Sequence, residues 1–272
     1  VGSTEIGPAE WLELHAVIHK TAADNPDLAG IVLTHGTATL EETAYFMNLT
    51  VKLDIPVVLV GAQRPATSIS TDAGLNLVNA IRVAGAPQSR GLGVLAVLND
   101  EIHSARDVTK TSTLRLQTFK SHDFGLLGHA DADQVIYYRT PVRKRAPDTE
   151  FDVAGMDSLP RVDIVPGYAG ADGTAIDAFV AAGAKGLVAA GLLPGFNTKA
   201  QIETYNAAAA KGVIIAQSTR NSSGRVVKVN SGRPDICVLA DNLPPQKARI
   251  LLMLALTRSS DPADIQRMFE SY

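Results

Sequence analysis

Short, unbroken apolar runs alternate with stretches of helical periodicity along almost the whole chain, an order of elements that few folds accept. The N-terminal half reads "GIVLT", "TLEETAYFMNLTVKL", "PVVLVG", "DAGLNLVNAIRVA" and "GLGVLAVLN". Within the runs there is no apolar–polar alternation, so each is expected to be a strand covered on both faces, as in a parallel sheet flanked by helices. Between the first two runs, Leu40, Ala44, Met47 and Val51 recur at helical spacing and define one buried stripe. Strand and helix taken in turn predict an α/β fold built on a parallel sheet. After "QVIYYRTP" the pattern lapses from Arg139 to Pro160, a stretch with three prolines and the cluster Arg143, Lys144, Arg145. That stretch is expected to be an inter-domain linker, its basic cluster a solvated face. Beyond it the alternation restarts: "RVDIV", "TAIDAFVAAG", "GLVAAGLL", "TKAQIETYNAAAAKG", "VIIAQS", "DICVLA" and "PQKARILLMLALTRS". The expected organisation is therefore a larger domain over residues 1–138, a linker over 139–160 and a smaller α/β domain over 161–272. The last helix starts where Asp261 can cap and Pro262 takes the first helical position.

Charge excludes two classes of partner. With 25 Lys and Arg against 28 Asp and Glu, no basic excess marks a nucleic acid or an anionic membrane. The longest apolar runs, such as Ile250 to Leu256, are far too short to span a bilayer. Small neutral or zwitterionic ligands fit this balance better. The single cysteine, Cys237, lies in an apolar run and is expected to be a small buried hydrophobe. It leaves the compartment open between cytoplasm and periplasm. The chain opens on Val1 with no signal peptide, and a processed or upstream N-terminal segment is compatible with that start.

The chemistry concentrates where the first strand gives way to a helix, in "LTHGTATLEET". Thr39-Leu40-Glu41-Glu42 has capping-box spacing, so Thr39 is expected to cap the helix and Glu42 to reach back to it. Gly36 allows a tight strand-to-helix turn, which puts Thr37 at a strand's carboxyl end beside a helix N-terminus. A threonine hydroxyl there is a second cap or a reactive group, and as a nucleophile it needs a base. Lys110, in the polar segment "NDEIHSARDVTKTST" after another strand, is the candidate, since desolvation lowers a lysine's pKa towards a useful base. The same segment holds Asp100, Glu101, Arg106 and Asp107, which suit a structural ion-pair network equally well.

"LTHGTATLEET", "VGAQRPATS", "RDVTKT", "TFKS" and "PPQKARILLMLALT", in that order, resemble the bacterial L-asparaginase and glutaminase-asparaginase family, the type II enzymes in particular. The resemblance runs the length of the chain. It implies a two-domain, Rossmann-like or flavodoxin-like α/β architecture and hydrolysis of the side-chain amide of asparagine, and of glutamine in some members, to the amino acid and ammonia. It implies no cofactor and no metal. It also implies a homotetramer, a dimer of dimers, whose sites combine one subunit's larger domain with a neighbour's smaller one. By this resemblance Thr37 is the second of the family's two reactive threonines and Lys110 is the lysine that activates it. "VGSTEI" is similar to the loop that binds the substrate carboxylate, with Ser3 a binding residue, Thr4 in place of a usual glutamine and Glu5 an acidic neighbour. Gly61 and Ala62 match the turn whose backbone holds the leaving amide.

Three departures stand against these matches, one of them Gly170 in "YAGADG", where many members of the family carry an asparagine that helps bind substrate across the subunit interface. The family's opening strand, ending in Thr-Gly-Gly-Thr-Ile and carrying the primary nucleophile, does not occur in this sequence, which is therefore expected to be N-terminally incomplete or a rearranged offshoot. The aspartate that follows the reactive threonine in the family is Ala38 here, so a carboxylate that would meet the substrate's ammonium is missing. Three readings stay open: an asparaginase; an impaired homologue that binds an acidic amino acid or acts as a non-catalytic subunit; and an amidase for another small carboxamide. Three local features are expected to be structural. "GYAGADG" lacks both the dinucleotide glycine spacing and a Walker lysine, and is a tight turn. His15 and His19 stand four apart on a helix but without the zincin glutamate, while Trp11 and Leu14 on that helix are core residues. His35 is expected to bond neighbouring backbone.

Overall fold

A computed structural model describes residues 2–229 and 231–272. The chain forms two compact units, residues 1–158 and 159–272.

In the first unit, helix α1 (Pro8–Asp24) precedes strand β1 (Ile31–Thr34), helix α2 (Leu40–Thr50), strand β2 (Val57–Val60), helix α3 (Ala73–Gly85) and strand β3 (Val94–Leu98). Short strands follow: β4 (Glu101–Ser104), β5 (Thr109–Lys110), β6 (Phe119–Lys120), β7 (Gly128–Ala130) and β8 (Val135–Tyr137). The main sheet runs β1-β2-β3-β4-β7-β8. Its first three strands are parallel, with Thr34 beside Val60 and Val60 beside Val97, so their carboxyl ends lie level. β2 and β3 are buried along their full length, as uninterrupted apolar runs require. Val58, Val60, Leu95 and Val97 pack with Ala80, Val83 and Ala84 of α3 to make the core on that side.

The sheet is not purely parallel. β4 turns back antiparallel to β3, and β7 and β8 extend the sheet in the same sense. The reversal is made by Asn99 and Asp100, both at positive φ (53° and 62°), the backbone that a two-residue hairpin turn needs and that these residue types tolerate. Lys110 therefore does not sit in an irregular loop. It lies on β5, which pairs antiparallel with β6 in a separate two-stranded ribbon.

Buried almost all round, α2 exceeds the one-sided stripe that its spacing suggests. α1 covers it, with Trp11 stacked on Phe46 at 5.2 Å between ring centroids. The buried indole N–H donates to Thr43 Oγ1 at 3.0 Å, the partner that a buried tryptophan needs. Residues 139–158 pack onto this unit: Lys52 Nζ donates to the carbonyl and hydroxyl of Thr149, Thr149 Oγ1 donates to the Leu49 carbonyl, and Phe151 and Val153 are buried.

The second unit has strands β9 (Val162–Pro166), β10 (Gly186–Gly191), β11 (Ile214–Thr219) and β12 (Val238–Leu239), with helices α4 (Thr174–Ala181), α5 (Lys199–Ala209), α6 (Pro245–Ala255) and α7 (Pro262–Ser271). The sheet, ordered β12-β11-β10-β9, is parallel throughout. Asp261 caps α7, its carboxylate accepting the Ala263 N–H at 3.0 Å, and Pro262 occupies the first turn. Cys237 is half-buried, and burial pushes its thiol pKa up. Among the described residues, no helix is long and apolar enough to cross a membrane.

His15 and His19 are both tied to the backbone that follows α2. His15 Nε2 meets the Thr50 carbonyl at 3.3 Å, and His19 Nε2 accepts the Lys52 N–H at 3.3 Å. Burial lowers the pKa of both, and of His35 as well. Unfolded histidines take up protons near pH 6.5, before the folded ones do, so the unfolded state binds more protons in that range. Stability is then complete above about pH 6.5 and falls as pH drops through that value towards the lower folded pKa values. The expected result is a thermal midpoint lower at pH 5 than at pH 7.5, with a weaker pH dependence in His15→Gln; equal slopes in the two proteins would assign the effect elsewhere.

Candidate active site

The sequence-predicted residues meet at the carboxyl ends of β1 and β2. His35 N–H continues the β1–β2 pairing by donating to the Val60 carbonyl at 2.8 Å, and the chain then turns through Gly36, Thr37 and Ala38 into α2. That turn is fixed from three sides. A β-carbon on Gly36 would lie 2.5 Å from Ser3 Oγ, so the absence of a side chain lets the Ser3 loop approach. Gly61 likewise leaves room, since a β-carbon there would lie 2.6 Å from the His35 carbonyl and 3.1 Å from Thr37 Cγ2. His35 places Nδ1 at 2.7 Å from the Gly36 carbonyl and Nε2 at 2.9 Å from Thr43 Oγ1, which itself accepts from Trp11. The Gly36 carbonyl can only accept, so the imidazole N–H sits on Nδ1, and with burial lowering the His35 pKa, Nε2 is left to accept from the Thr43 hydroxyl. His35 is thus a neutral, oriented brace.

Thr39 does not act as expected. Its side chain makes no capping bond to α2; Oγ1 instead donates to the Ser3 carbonyl at 2.6 Å and clips the Ser3 loop to the turn. A local capping rule sees only sequence neighbours, and here the hydroxyl is oriented by a carbonyl 36 residues away to which it donates.

Lys110 reaches the turn from β5. Its Nζ stands 2.7 Å from Thr37 Oγ1 and donates to it. Desolvation lowers the lysine pKa, and the nearby Glu41 carboxylate raises it in part. Glu41 also fixes the lysine's backbone: its Oε2 accepts the Lys110 N–H at 2.9 Å. The ribbon is held from its other strand by Lys120, whose Nζ lies 2.6 and 2.9 Å from the Glu101 carboxylate, and by His103, which bridges Glu101 (3.1 Å) and Ser121 (3.0 Å). Burial works against ionisation of Glu101, but bonds from His103 and Lys120 outweigh it and hold its pKa below the usual range. Arg106 pairs with Asp107 at 3.2 Å.

The turn after β2 is equally tied down. Asp72 accepts the N–H groups of Gln63 and Arg64, each at 2.9 Å, and Asn76 donates to the Gly61 carbonyl at 2.9 Å. Ser3, Thr37, Gly61 and Lys110 thus converge, with Ala62 in the same turn. Thr4 and Glu5 are exposed on the short 3-10 turn Ser3–Glu5 and bond each other at 3.4 Å, and Ala38 is exposed at the rim.

Glu41, Glu101, Asp72 and Asn76 escape the sequence reading as site-shaping residues. The available signal at Glu41 is a carboxylate on the apolar face of a buried helix, which needs a partner. Removing its charge while keeping an acceptor, in Glu41→Gln, is expected to lower the Lys110 pKa further and move the alkaline rise of the pH–rate profile to lower pH. Glu41→Ala is expected to lose about tenfold in rate as well, because the Lys110 N–H loses its acceptor. An unchanged profile in Glu41→Gln would show that this carboxylate does not act on the lysine.

Fold and cleft together define an α/β protein that presents a threonine hydroxyl to a partly desolvated lysine amine at the carboxyl end of a parallel sheet. Known proteins with this sequence pattern sharpen the assignment. The family pattern described as "Asparaginase, N-terminal" matches residues 1–143, and "Glutaminase/Asparaginase C-terminal domain" matches 161–269. The chain is 50% identical over 274 residues to L-asparaginase 2 of Bacillus subtilis strain 168, covering all of this chain and 72% of that protein. It is 44% identical over 275 residues to L-asparaginase 2 of Escherichia coli K12 (all of this chain, 78% of the relative). Identity is also 44% over 275 residues to the glutaminase-asparaginase of Pseudomonas fluorescens biotype A (all of this chain, 75% of the relative). The chain belongs to the asparaginase family.

Proposed function

We propose that the protein hydrolyses the side-chain amide of L-asparagine, with L-glutamine as a second substrate, and that Thr37 and Lys110 form its reactive pair. The observation that carries the residue assignment is the 2.7 Å contact between Lys110 Nζ and Thr37 Oγ1, with the lysine pKa lowered by burial. In this reading the neutral amine takes the hydroxyl proton and Oγ1 attacks the carboxamide carbon. Collapse of the tetrahedral adduct expels ammonia, protonated by the Lys110 ammonium, and leaves an acyl ester on Thr37. Water, deprotonated by the same amine, then attacks the ester, and the proton returns to Oγ1 as aspartate leaves. The N-terminal end of α2 beside Thr37 favours the developing negative charge. The Gly61–Ala62 backbone, anchored through Asn76, flanks the amide, and Ser3 takes the substrate carboxylate, with Thr4 and Glu5 on the same loop.

The homotetramer belongs to the same proposal. Leu75, Val78 and Ile81 lie on one side of α3, each more than half exposed, an apolar face that a second subunit would cover. Light scattering after size exclusion tests it, and a monomer would overturn it.

The deciding assay is ammonia release from L-asparagine by the purified 272-residue chain, repeated with a relative's opening strand restored upstream. Turnover in the chain as it stands supports Thr37 as the nucleophile. Turnover only after the strand is restored would move the nucleophile to that strand and leave Lys110 and Thr37 in support. No turnover in either form would favour a binding protein.

A further inference from the structure

A cavity of about 460 Å³ opens in the first unit, walled by β4, the Phe124–Leu127 turn and residues 139–145. None of the residues assigned to the active site lines it. Five lining side chains are cationic, Arg106, Arg139, Arg143, Lys144 and Arg145, against one acid, Asp107, in a protein whose net charge is −3. Asp107 is already engaged by Arg106.

What distinguishes this cluster from a solvated basic stretch is how its charges are held. Arg145 is half-buried, its Nε donating to the Gly91 carbonyl at 2.9 Å and a terminal nitrogen to the carbonyls of Pro141 (2.9 Å) and Arg143 (3.1 Å). Arg139 donates to the Gly125 carbonyl at 3.4 Å. Among the described residues no carboxylate pairs with Arg139, Lys144 or Arg145. Carbonyls orient a guanidinium without cancelling its charge, so positive charge is concentrated and, at Arg145, preorganised. The uncharged wall is polar at Asn48, Ser104 and Thr140 and otherwise apolar: Phe124 and Val142 are 47% and 96% exposed, and Leu127 lies buried beside them. The volume falls in the range of small-molecule sites.

We propose that this cavity binds a small phosphorylated molecule, its phosphate oxygens on Arg139, Lys144 and Arg145 and its planar or apolar portion against Phe124 and Val142. The Arg139 guanidinium can offer a fork to phosphate, Arg145 adds its remaining terminal nitrogen, and an aromatic face beside them accepts a ring.

Isothermal titration of the full chain with pyrophosphate and with ATP, at about 0.15 M salt to screen diffuse attraction, tests this directly. ATP is expected to bind more tightly than pyrophosphate. Arg139→Glu/Lys144→Glu is expected to weaken both by at least about tenfold with ammonia release from L-asparagine unchanged. The control Lys185→Glu/Lys211→Glu, an equal change in net charge at exposed sites of the second unit, is expected to leave binding intact. Phe124→Ala is expected to weaken ATP alone. No binding of either probe at millimolar concentration, equal weakening in the control, or an unchanged ATP affinity in Phe124→Ala would overturn the proposal. Should the charge-reversed pair lower the unfolding midpoint, Arg139→Gln/Lys144→Gln replaces it.

Discussion

Replacing Lys110 by methionine is expected to lower kcat/KM for L-asparagine by about 10³-fold, and Thr37→Ala by at least as much. Both leave the thermal midpoint within a few degrees of the parent. The structural cost is small because neither side chain carries the fold: Thr37 Oγ1 has Lys110 as its hydrogen-bond partner, and the Lys110 backbone N–H stays on Glu41 whatever its side chain becomes. In the proposed mechanism the kinetic cost is large because Lys110 carries a proton in every step, taking the first from Thr37 Oγ1 and returning the last to it. For the same reason the double variant is expected to be no slower than the slower single variant, since groups that act as a unit are strongly non-additive. Lys110→Arg serves as the sharper probe. Arginine keeps the positive charge but stays protonated across the working range, so it can donate to Thr37 and cannot take its proton. If Lys110→Arg retained activity, the lysine would be an electrostatic support rather than a base. In the parent, turnover is expected to rise with pH as the amine loses its proton, starting below the usual lysine range because burial lowers its pKa.

What was legible in the sequence is what obeys local rules. Uninterrupted runs such as "PVVLV" and "GLVAAG" become the central strands β2 and β10, and Asp261 and Pro262 begin α7 as their types predict. Position past strand ends offered Thr37 and Lys110 only as candidates, and the family resemblance is what paired them; their 2.7 Å contact spans 73 residues and no spacing rule reaches that far. The antiparallel half of the first sheet was not visible. β4, β7 and β8 are three or four residues each, and β4 reads "EIHS", too short and too polar for periodicity to register. The one cue was Asn99-Asp100, a pair of residue types suited to a positive-φ hairpin turn. Thr39 shows the opposite limit: its local pattern was clear, and a tertiary acceptor, the Ser3 carbonyl, took its hydroxyl instead. Residues 139–158 look like a linker because proline and charge break periodicity, while in the structure Thr149, Phe151 and Val153 anchor that stretch to the first unit.

We propose that selectivity turns on Ala38. Ala38→Asp is expected to raise affinity for L-aspartate by about 10- to 100-fold, the equivalent of one charge-assisted hydrogen bond of roughly 1.5–3 kcal/mol between the new carboxylate and the ligand's ammonium. The position accepts the change without strain. Ala38 is exposed, it follows Thr37 directly, and it precedes the first turn of α2, where a negative charge is favoured by the helix dipole. The same dipole and the added charge have a second consequence. A carboxylate close to Lys110 favours its protonated form, so the variant's activity is expected to rise only at higher pH than the parent's, even as its ligand binds better. Discrimination gives the cleanest reading. L-asparagine and succinamic acid differ by the α-amino group alone, so the parent is expected to distinguish them weakly and Ala38→Asp strongly. The ratio of their kcat/KM values cancels any general effect of the substitution on the lysine. If the ratio and the aspartate affinity both stayed at the parental values, Ala38 would not be the point at which this chain loses its hold on the substrate ammonium, and Glu5, on the exposed loop beside Ser3, would be the next carboxylate to replace.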